Sequence, residues 1–215
     1  RYTLSDYLFT AGTKSNSVAS REQSDSNNTY MVGNILMDTL RFNHQRLIKP
    51  QTLNLKPQTY YVFTLNRKAL LADEEKLKQM LEAIAEAAGD TPIIAPLRGK
   101  AYEVVSSILQ SPFTLHPSLP YLEFGWLTAN AKGIITDSGN VAEEATFNGV
   151  PCITLNSYTE HQETVTVGSN VLVGEDPQRL KEEILRLKAG EWKKCALPDR
   201  WDGRTAERIV QILLA

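Results

Sequence analysis

The sequence predicts an α/β fold, a doubly wound parallel sheet with helices on both faces. Three observations carry that prediction. Apolar strand-like runs of roughly four to six residues recur along the chain. Helix-like stretches of roughly ten to fifteen residues separate them. At residues 133–145 an apolar run ends in a small polar turn, and helix formers follow at once. In such a fold the ligand is expected beyond the carboxyl ends of the strands.

The elements follow in order. Residues 60–65 are rich in β-formers, and residues 73–88 carry Leu77, Met80, Leu81 and Ile84 at helical spacing. Residues 92–95 form another short apolar run, followed by a helix over 100–109. A helix over 121–131 leads to a strand at 133–135, and residues 151–155 and 170–173 supply two more strands. Asp176 caps a helix that runs to residue 188 with Pro177 at its first position. A last helix spans about residues 204–214. Residues 12–29, dominated by Ser, Asn, Thr, Lys and Gly, read as mobile, with room for a short helix near 18–22.

Composition narrows the function. At 215 residues the chain can hold one large or two small domains with a real core. A net charge of −2 gives no electrostatic case for nucleic acid or an anionic membrane. No apolar run approaches a membrane span, and no secretory segment opens the chain. Cys152 and Cys195 are too few for a disulfide framework or a zinc site, and a buried, reduced Cys152 is expected. The expected compartment is the cytoplasm. The chain opens Arg1-Tyr2-Thr3-Leu4 without methionine and is soon apolar at Leu8 and Phe9. That reads as a cut through a larger protein, or as an engineered domain.

The most informative stretch is Gly-Ile-Ile-Thr-Asp-Ser-Gly-Asn-Val-Ala-Glu-Glu-Ala at 133–145. A strand feeding this turn and a helix leaves free backbone N–H groups at the helix N-terminus, where phosphate is stabilised. Glu144 lies four residues after Asn140, on the same helix face. A carboxylate there suits the two hydroxyls of a ribose. The local reading is a nucleoside-diphosphate pocket; the plain alternative is a strand–turn–helix capped by Asp137 or Ser138.

Further motifs lie in register with this one: Val32-Gly33-Asn34 with Asp38, Pro120-Tyr121-Leu122-x-Phe124, and Glu143-Glu144-Ala145. Gly149-Val150-Pro151, Thr159-Glu160, Val173-Gly174 and Asp202-Gly203-x-x-Ala206-x-Arg208-Ile209 follow. In this order they resemble the C-terminal half of the non-hydrolysing UDP-N-acetylglucosamine 2-epimerases, which are GT-B enzymes with two Rossmann-like domains. The resemblance implies that Phe124 borders a uracil site, that Ser138 with Gly139 and Asn140 binds the diphosphate, and that Glu144 takes the ribose hydroxyls. For Phe124 the alternative is core packing, and Glu143 reads as a solvated helix position.

The departures matter as much. Where the family has His-Arg-Arg-Glu-Asn, this chain has Asn66-Arg67-Lys68-Ala69-Leu70, and Asn66 cannot transfer a proton near neutral pH. A second family histidine, in Pro-x-His-x-Asn-Pro, is matched by Arg98. The family's Gly-Gly turn is Gly139-Asn140, which still permits an unusual backbone conformation. An arginine expected to face the nucleotide is His161, a weaker and pH-dependent cation. Arg98 and His161 are therefore candidate diphosphate contacts, and the catalytic residues stay unassigned. His44 is expected on an exposed helix and His116 in a loop before Pro117, and the three scattered histidines argue against a metal site. Residues 199–202 read as a turn and N-cap that pack the last helix.

By resemblance, then, residues 1–30 are a truncated inter-domain segment with a mobile stretch. Residues 31–200 are a Rossmann-like UDP-binding domain, and residues 201–215 a C-terminal helix packing toward a missing N-terminal domain. The implied activity interconverts UDP-GlcNAc and UDP-ManNAc by elimination and re-addition of UDP. The implied partner is UDP or a UDP-N-acetylhexosamine, with a possible homodimer in the complete protein, and no metal or nicotinamide cofactor. The proton-transfer carboxylates belong to the family's N-terminal domain, so this chain alone is expected to be inactive. Surface-polysaccharide precursor synthesis is the implied setting. A GT-B glycosyltransferase, a hydrolysing relative and a UDP-sugar-binding module without catalysis are the alternatives.

Overall fold

Two short strands begin the fold, β1 (Leu8–Thr10) and β2 (Thr29–Met31), paired in parallel with Phe9 opposite Tyr30. A parallel pair needs a crossover, which α1 (Thr13–Glu22) provides. The computed structural model describes residues 4–22, 26–109 and 112–215. α1 corrects the expectation of a mobile stretch holding only a short helix near 18–22: the helix starts at Thr13 and buries Ala19. Residues 1–3 and 23–25, part of the expected opening segment, lie outside the described residues. α2 (Leu36–Asn43) follows, its first turn fixed by Asn34 Oδ1 accepting the Leu36 N–H at 3.0 Å.

The larger of two compact units spans Leu47–Ala196 and is built on one six-stranded sheet. In chain order it contains β3 (Tyr61–Thr64), α3 (Lys68–Ala72), α4 (Glu74–Ala88), β4 (Ile93–Leu97), α5 (Gly99–Ile108), β5 (Phe113–Pro117) and α6 (Tyr121–Ala129). β6 (Gly133–Thr136), α7 (Gly139–Asn148), β7 (Cys152–Thr154), α8 (Glu163–Thr166), β8 (Asn170–Leu172) and α9 (Pro177–Lys188) complete it. The order across the sheet is β5-β4-β3-β6-β7-β8, with every pair parallel. The chain therefore starts in mid-sheet at β3, winds outward to β5, and returns beside β3 at β6. That reversal is the switch point where doubly wound sheets open a crevice.

Side-chain alternation along β3 feeds two cores. Tyr61 and Phe63 join Leu77, Ile84, Leu180 and Ile184 on the α4–α9 face. Tyr60 and Val62 join Leu127, Ile134, Val141 and Cys152 on the other. Burying one such aliphatic side chain contributes about 1.5–3 kcal/mol. The two long helices start as their sequences require. Asp73 Oδ1 accepts from the Lys76 N–H, and Asp176 Oδ1 accepts from Gln178 and Arg179 behind Pro177.

β5 overturns the expected loop around His116. Residues 113–117 pair along their whole length with β4, and His116 bridges Thr52 Oγ1 (3.1 Å) and the Pro117 carbonyl (2.6 Å). An edge strand tolerates a terminal proline because its outer side needs no N–H donor. Pro96 in β4 has a related consequence. β4 pairs with β3 only as far as Val62–Ile94, so the strands part before Pro96 and leave space between their ends.

The smaller unit joins Arg1–Arg46 to Leu197–Ala215, which includes α10 (Thr205–Leu214). Its division from the larger unit falls at 46/47 and 196/197, whereas the sequence suggests 30/31 and 200/201. The reason is chemical. Asp38 in α2 caps α10, accepting the Thr205 and Ala206 N–H groups at 3.0 and 2.8 Å, where the local N-cap Arg204 offers no side-chain bond. Residues 199–202 therefore pack the helix without capping it. Trp201 is fully buried with its indole on the Ala11 carbonyl, and Asp202 pairs with Arg208. Gly33 (φ +104°) is required here, since a Cβ would lie 2.0 Å from the Arg200 carbonyl. His44 is exposed just past α2, in a short 3-10 turn. Among the described residues no helix is long and apolar enough to cross a membrane.

Candidate functional site

Three strand ends of the larger unit are tied together at the switch point. The last rung of β3 and β6 places the Thr64 and Thr136 hydroxyls 2.6 Å apart, and Thr136 Oγ1 also accepts the Ser138 N–H at 3.0 Å. Asp137 then reaches across the sheet. Its Oδ2 accepts the backbone N–H groups of Asn66 (2.8 Å) and Arg67 (2.6 Å), and its carbonyl accepts from Asn156 Nδ2 beyond β7 (3.0 Å). One aspartate thus fixes the β3–α3 loop, the β6–α7 turn and the segment after β7.

Ser138 is the N-cap of α7, its Oγ accepting the Val141 N–H at 3.4 Å. Gly139 and Asn140 form the first exposed helical residues, where N–H groups have no partner within the helix. Neither has a positive φ, so the unusual backbone that this pair permits is not adopted. Both are simply helical, and a Cβ at Gly139 would meet nothing within 4 Å. Asparagine in place of a second glycine therefore carries no backbone strain.

A cavity of about 770 Å³ opens on one side of the turn, lined by Asn66, Arg67, Arg98, Phe124, Ser138 and Tyr158 among others. Its charged groups are two arginines against one aspartate, Asp137, which is already engaged. Arg67 is anchored by the Leu155 carbonyl (3.3 Å), Asn156 Oδ1 (3.5 Å) and Glu175 (3.2 Å). Arg98 is exposed, and no ion pair or hydrogen bond among the described residues holds its side chain. Phe124 packs against the core cluster of Val62 and Leu127 and also lines the cavity.

A second cavity of about 360 Å³ lies beside the same turn, sharing Ser138, Asn156 and Tyr158 and adding Gly139, Asn140, Glu143, Glu160 and His161. Here Glu143 is no solvated helix position. It is 5% exposed, with Oε1 2.7 Å from His161 Nε2. The hydrogen bond to Glu143 holds the His161 pKa above the usual histidine value, against the opposing effect of burial. Behind the pair runs a buried polar chain. The Thr154 hydroxyl donates to Asn170 Oδ1 (2.5 Å), Asn170 Nδ2 donates to Thr164 Oγ1 (3.3 Å), and the Thr164 hydroxyl donates to the His161 carbonyl (2.9 Å). Glu144 lines neither cavity. It is half-buried on α7, with its carboxyl pushed up to about 7 by burial and by the neighbouring Glu143 charge.

Comparison with known proteins places this geometry. The sequence model of the UDP-N-acetylglucosamine 2-epimerase family matches residues 2–214. The chain belongs to the UDP-N-acetylglucosamine 2-epimerase family. A curated relative from Methanocaldococcus jannaschii, the UDP-N-acetylglucosamine 2-epimerase, is 33% identical over 98% of this chain and 61% of its own length. A solved structure from that organism, UDP-GlcNAc 2-epimerase in complex with UDP-GlcNAc and UDP, superposes with a TM-score of 0.81. It is 32% identical over 98% of this chain and 61% of the solved one. The UDP-2,3-diacetamido-2,3-dideoxy-D-glucuronate 2-epimerase of Pseudomonas aeruginosa is 34% identical over 66% of this chain and 41% of its own length. The chain thus spans about 61% of the first of these relatives.

Within this epimerase-family chain, the sequence candidates fall into groups. Asn66, Arg98, Phe124 and Ser138 converge on the larger cavity. Gly139, Asn140 and His161 line the smaller one, and Ser138 belongs to both. His161, a candidate diphosphate contact, has its Nε2 turned onto Glu143. Sequence reasoning missed Asp137 as a bridge, Asn156 as its partner and Arg67 as an anchored cation. Asp137 was visible in Thr-Asp-Ser-Gly, but a cap and a cross-sheet bridge have the same local sequence.

Proposed function

We propose that this chain binds the UDP portion of a UDP-N-acetylhexosamine, as the nucleotide-binding part of an enzyme that interconverts UDP-GlcNAc and UDP-ManNAc. The observation that carries this reading is the Ser138 turn. Ser138, the N-cap of a helix whose first N–H groups at Gly139 and Asn140 are open, lines a cavity at the sheet's switch point that also holds the unpaired Arg98, in a family where a relative was solved with UDP-GlcNAc and UDP. Diphosphate is assigned to Ser138, the amides of Gly139 and Asn140, and Arg98, and uracil to the edge of Phe124. The family resemblance alone assigns the ribose hydroxyls to Glu144, which stands on the same helix outside both cavity linings.

The proposed reaction removes the C2 proton of the hexosamine as the C1–O bond to UDP breaks, which gives a 2-acetamidoglucal. UDP then returns to C1 and a proton to the opposite face of C2. This chain's share is charge stabilisation of the departing diphosphate by preorganised donors. Among the described residues the larger cavity holds no histidine, and its one carboxylate, Asp137, is occupied by two amides. Proton transfer at C2 is therefore assigned to groups beyond this chain, which alone binds without turnover. Asn66 and Arg98, standing where the resemblance places histidines, favour one second reading, a UDP-sugar-binding module without catalysis. No gain in turnover from Asn66→His in the complete protein would support that module.

Calorimetric titration of UDP into the chain tests the pocket. Saturable binding, weakened by about 1 kcal/mol or more in Ser138→Ala and in Glu144→Ala, is the expected result. Binding that neither substitution touches would remove the turn from the site.

A further inference from the structure

We propose that His161 is a positioning residue for the anion-binding turn, and that the charge on the Glu143–His161 pair sets how tightly the turn holds a diphosphate. This rests on the assignment of the diphosphate to Ser138–Asn140. Glu143 stands on the first turns of α7, lines the same cavity as Ser138, Gly139 and Asn140, and is buried. A buried carboxylate so close to a phosphate site repels the anion and offsets the positive helix N-terminus that would hold it, unless a cation cancels the charge. The group in contact with it is His161, brought there from the segment after β7. The other charges facing His161 are carboxylates, Glu163 on α8 and Glu160 on its own loop, while Glu144 neighbours Glu143 on α7.

Protonated His161 makes the pair neutral and leaves the turn's N–H groups to the diphosphate. Loss of that proton leaves Glu143 as a net negative charge, while neutral imidazole can still donate from Nε2, so the local geometry survives. Diphosphate affinity therefore falls as pH rises through the raised His161 pKa. An arginine at this position would hold the pair at every pH, since guanidinium does not titrate in this range. Glutamine would keep a hydrogen bond without the charge.

The test is calorimetric titration of UDP into the full chain between about pH 6 and pH 9, with the parent, His161→Arg and His161→Gln. UDP's own phosphate and Glu144 titrate in all three proteins, so the ratio of affinities isolates residue 161. The expected result is a parent that matches His161→Arg at low pH and falls behind it by on the order of tenfold at high pH, converging on His161→Gln. Uridine, which lacks the diphosphate, should show no such divergence. Parallel UDP profiles for parent and His161→Arg overturn the proposal. If His161→Arg does not fold, parent and His161→Gln decide, since a constant ratio between them is equally fatal. Failure of the parent to bind UDP at any pH would instead overturn the diphosphate assignment and this proposal with it.

Discussion

The two cavities beside the Ser138 turn share three residues and differ in almost everything else. The larger presents an anchored Arg67 and an unpaired Arg98 against one already-bonded carboxylate, with an aromatic edge. The smaller is lined by Glu143, Glu160 and His161, and its buried polar atoms are bonded to one another through Thr154, Asn170 and Thr164. A group that already has its partners stabilises the fold. One that lacks them is available to a ligand. By that criterion the proposed nucleotide contacts are the unpaired Arg98 of the larger cavity and the open helix start at Gly139 and Asn140, while the bonded groups of the smaller hold the turn in shape.

Substitutions should respect this division. The largest expected effect is in the smaller cavity. Asn170 is fully buried and bonded to two threonines, so Asn170→Ala should cost about 3 kcal/mol in urea unfolding, from unpaired hydroxyls and a new void. UDP affinity of the folded fraction should stay within about twofold. A collapse of binding with stability intact would break the distinction between the cavities.

Asp137 lies on the boundary and should show both effects. Asp137→Ala removes two charge-assisted bonds to the Asn66 and Arg67 amides, about 2 kcal/mol of stability. UDP binding should weaken with it, because the loop carrying Asn66 loses its tether, and Asp137→Asn should recover part of both. Arg98 belongs to the ligand side alone. Arg98→Ala should leave unfolding within about 0.5 kcal/mol, yet lower UDP affinity by about 1 kcal/mol, more at low salt than high. An affinity insensitive to both the substitution and salt would take the diphosphate away from this arginine.

The sequence disclosed the open side of the site better than the closed side, for a physical reason. Ser138, Asn66, Arg98 and Phe124 sit at strand and helix ends, where local order along the chain already decides what points into the crevice. The α4 stripe from Leu77 to Ala88 and the Asp176-Pro177 start of α9 were legible in the same way, because caps and periodicity are local. What escaped depends on partners far along the chain. Glu143 reads as a solvated helix residue until His161 is brought against it, and Asp137 reads as a cap until β3 is laid beside β6. Asp38 capping α10 from 167 residues away is invisible to any local rule. β5 was missed because His116-Pro117 resembles a loop, and only its edge position makes the proline harmless.

Glu144 is the sharpest remaining probe, although its conservative replacement by glutamine is expected to change UDP affinity only modestly near neutrality. Burial and the neighbouring Glu143 raise its carboxyl from 4.5 to about 7. A folded pKa above the unfolded one means that the folded state prefers the protonated acid. That stabilisation is fully present below about pH 4.5 and is lost as pH rises through about 7. Glu144→Gln mimics the protonated form at every pH. Its melting temperature should match the parent's in acid, then exceed it by a margin that grows between those two values and levels off above them. Ribose binding has the opposite sign, since the ionised carboxylate is the better acceptor for two hydroxyls. The same substitution should therefore weaken UDP binding only about twofold near neutrality, where the parent is half ionised, and more at higher pH. With 2′-deoxy-UDP that difference should shrink. A carboxylate that destabilises the fold when ionised, and strengthens nucleotide binding in the same state, is being held for the ligand. If instead the two melting curves run parallel across the whole range, Glu144 is an ordinary solvated residue and the ribose must be bound elsewhere.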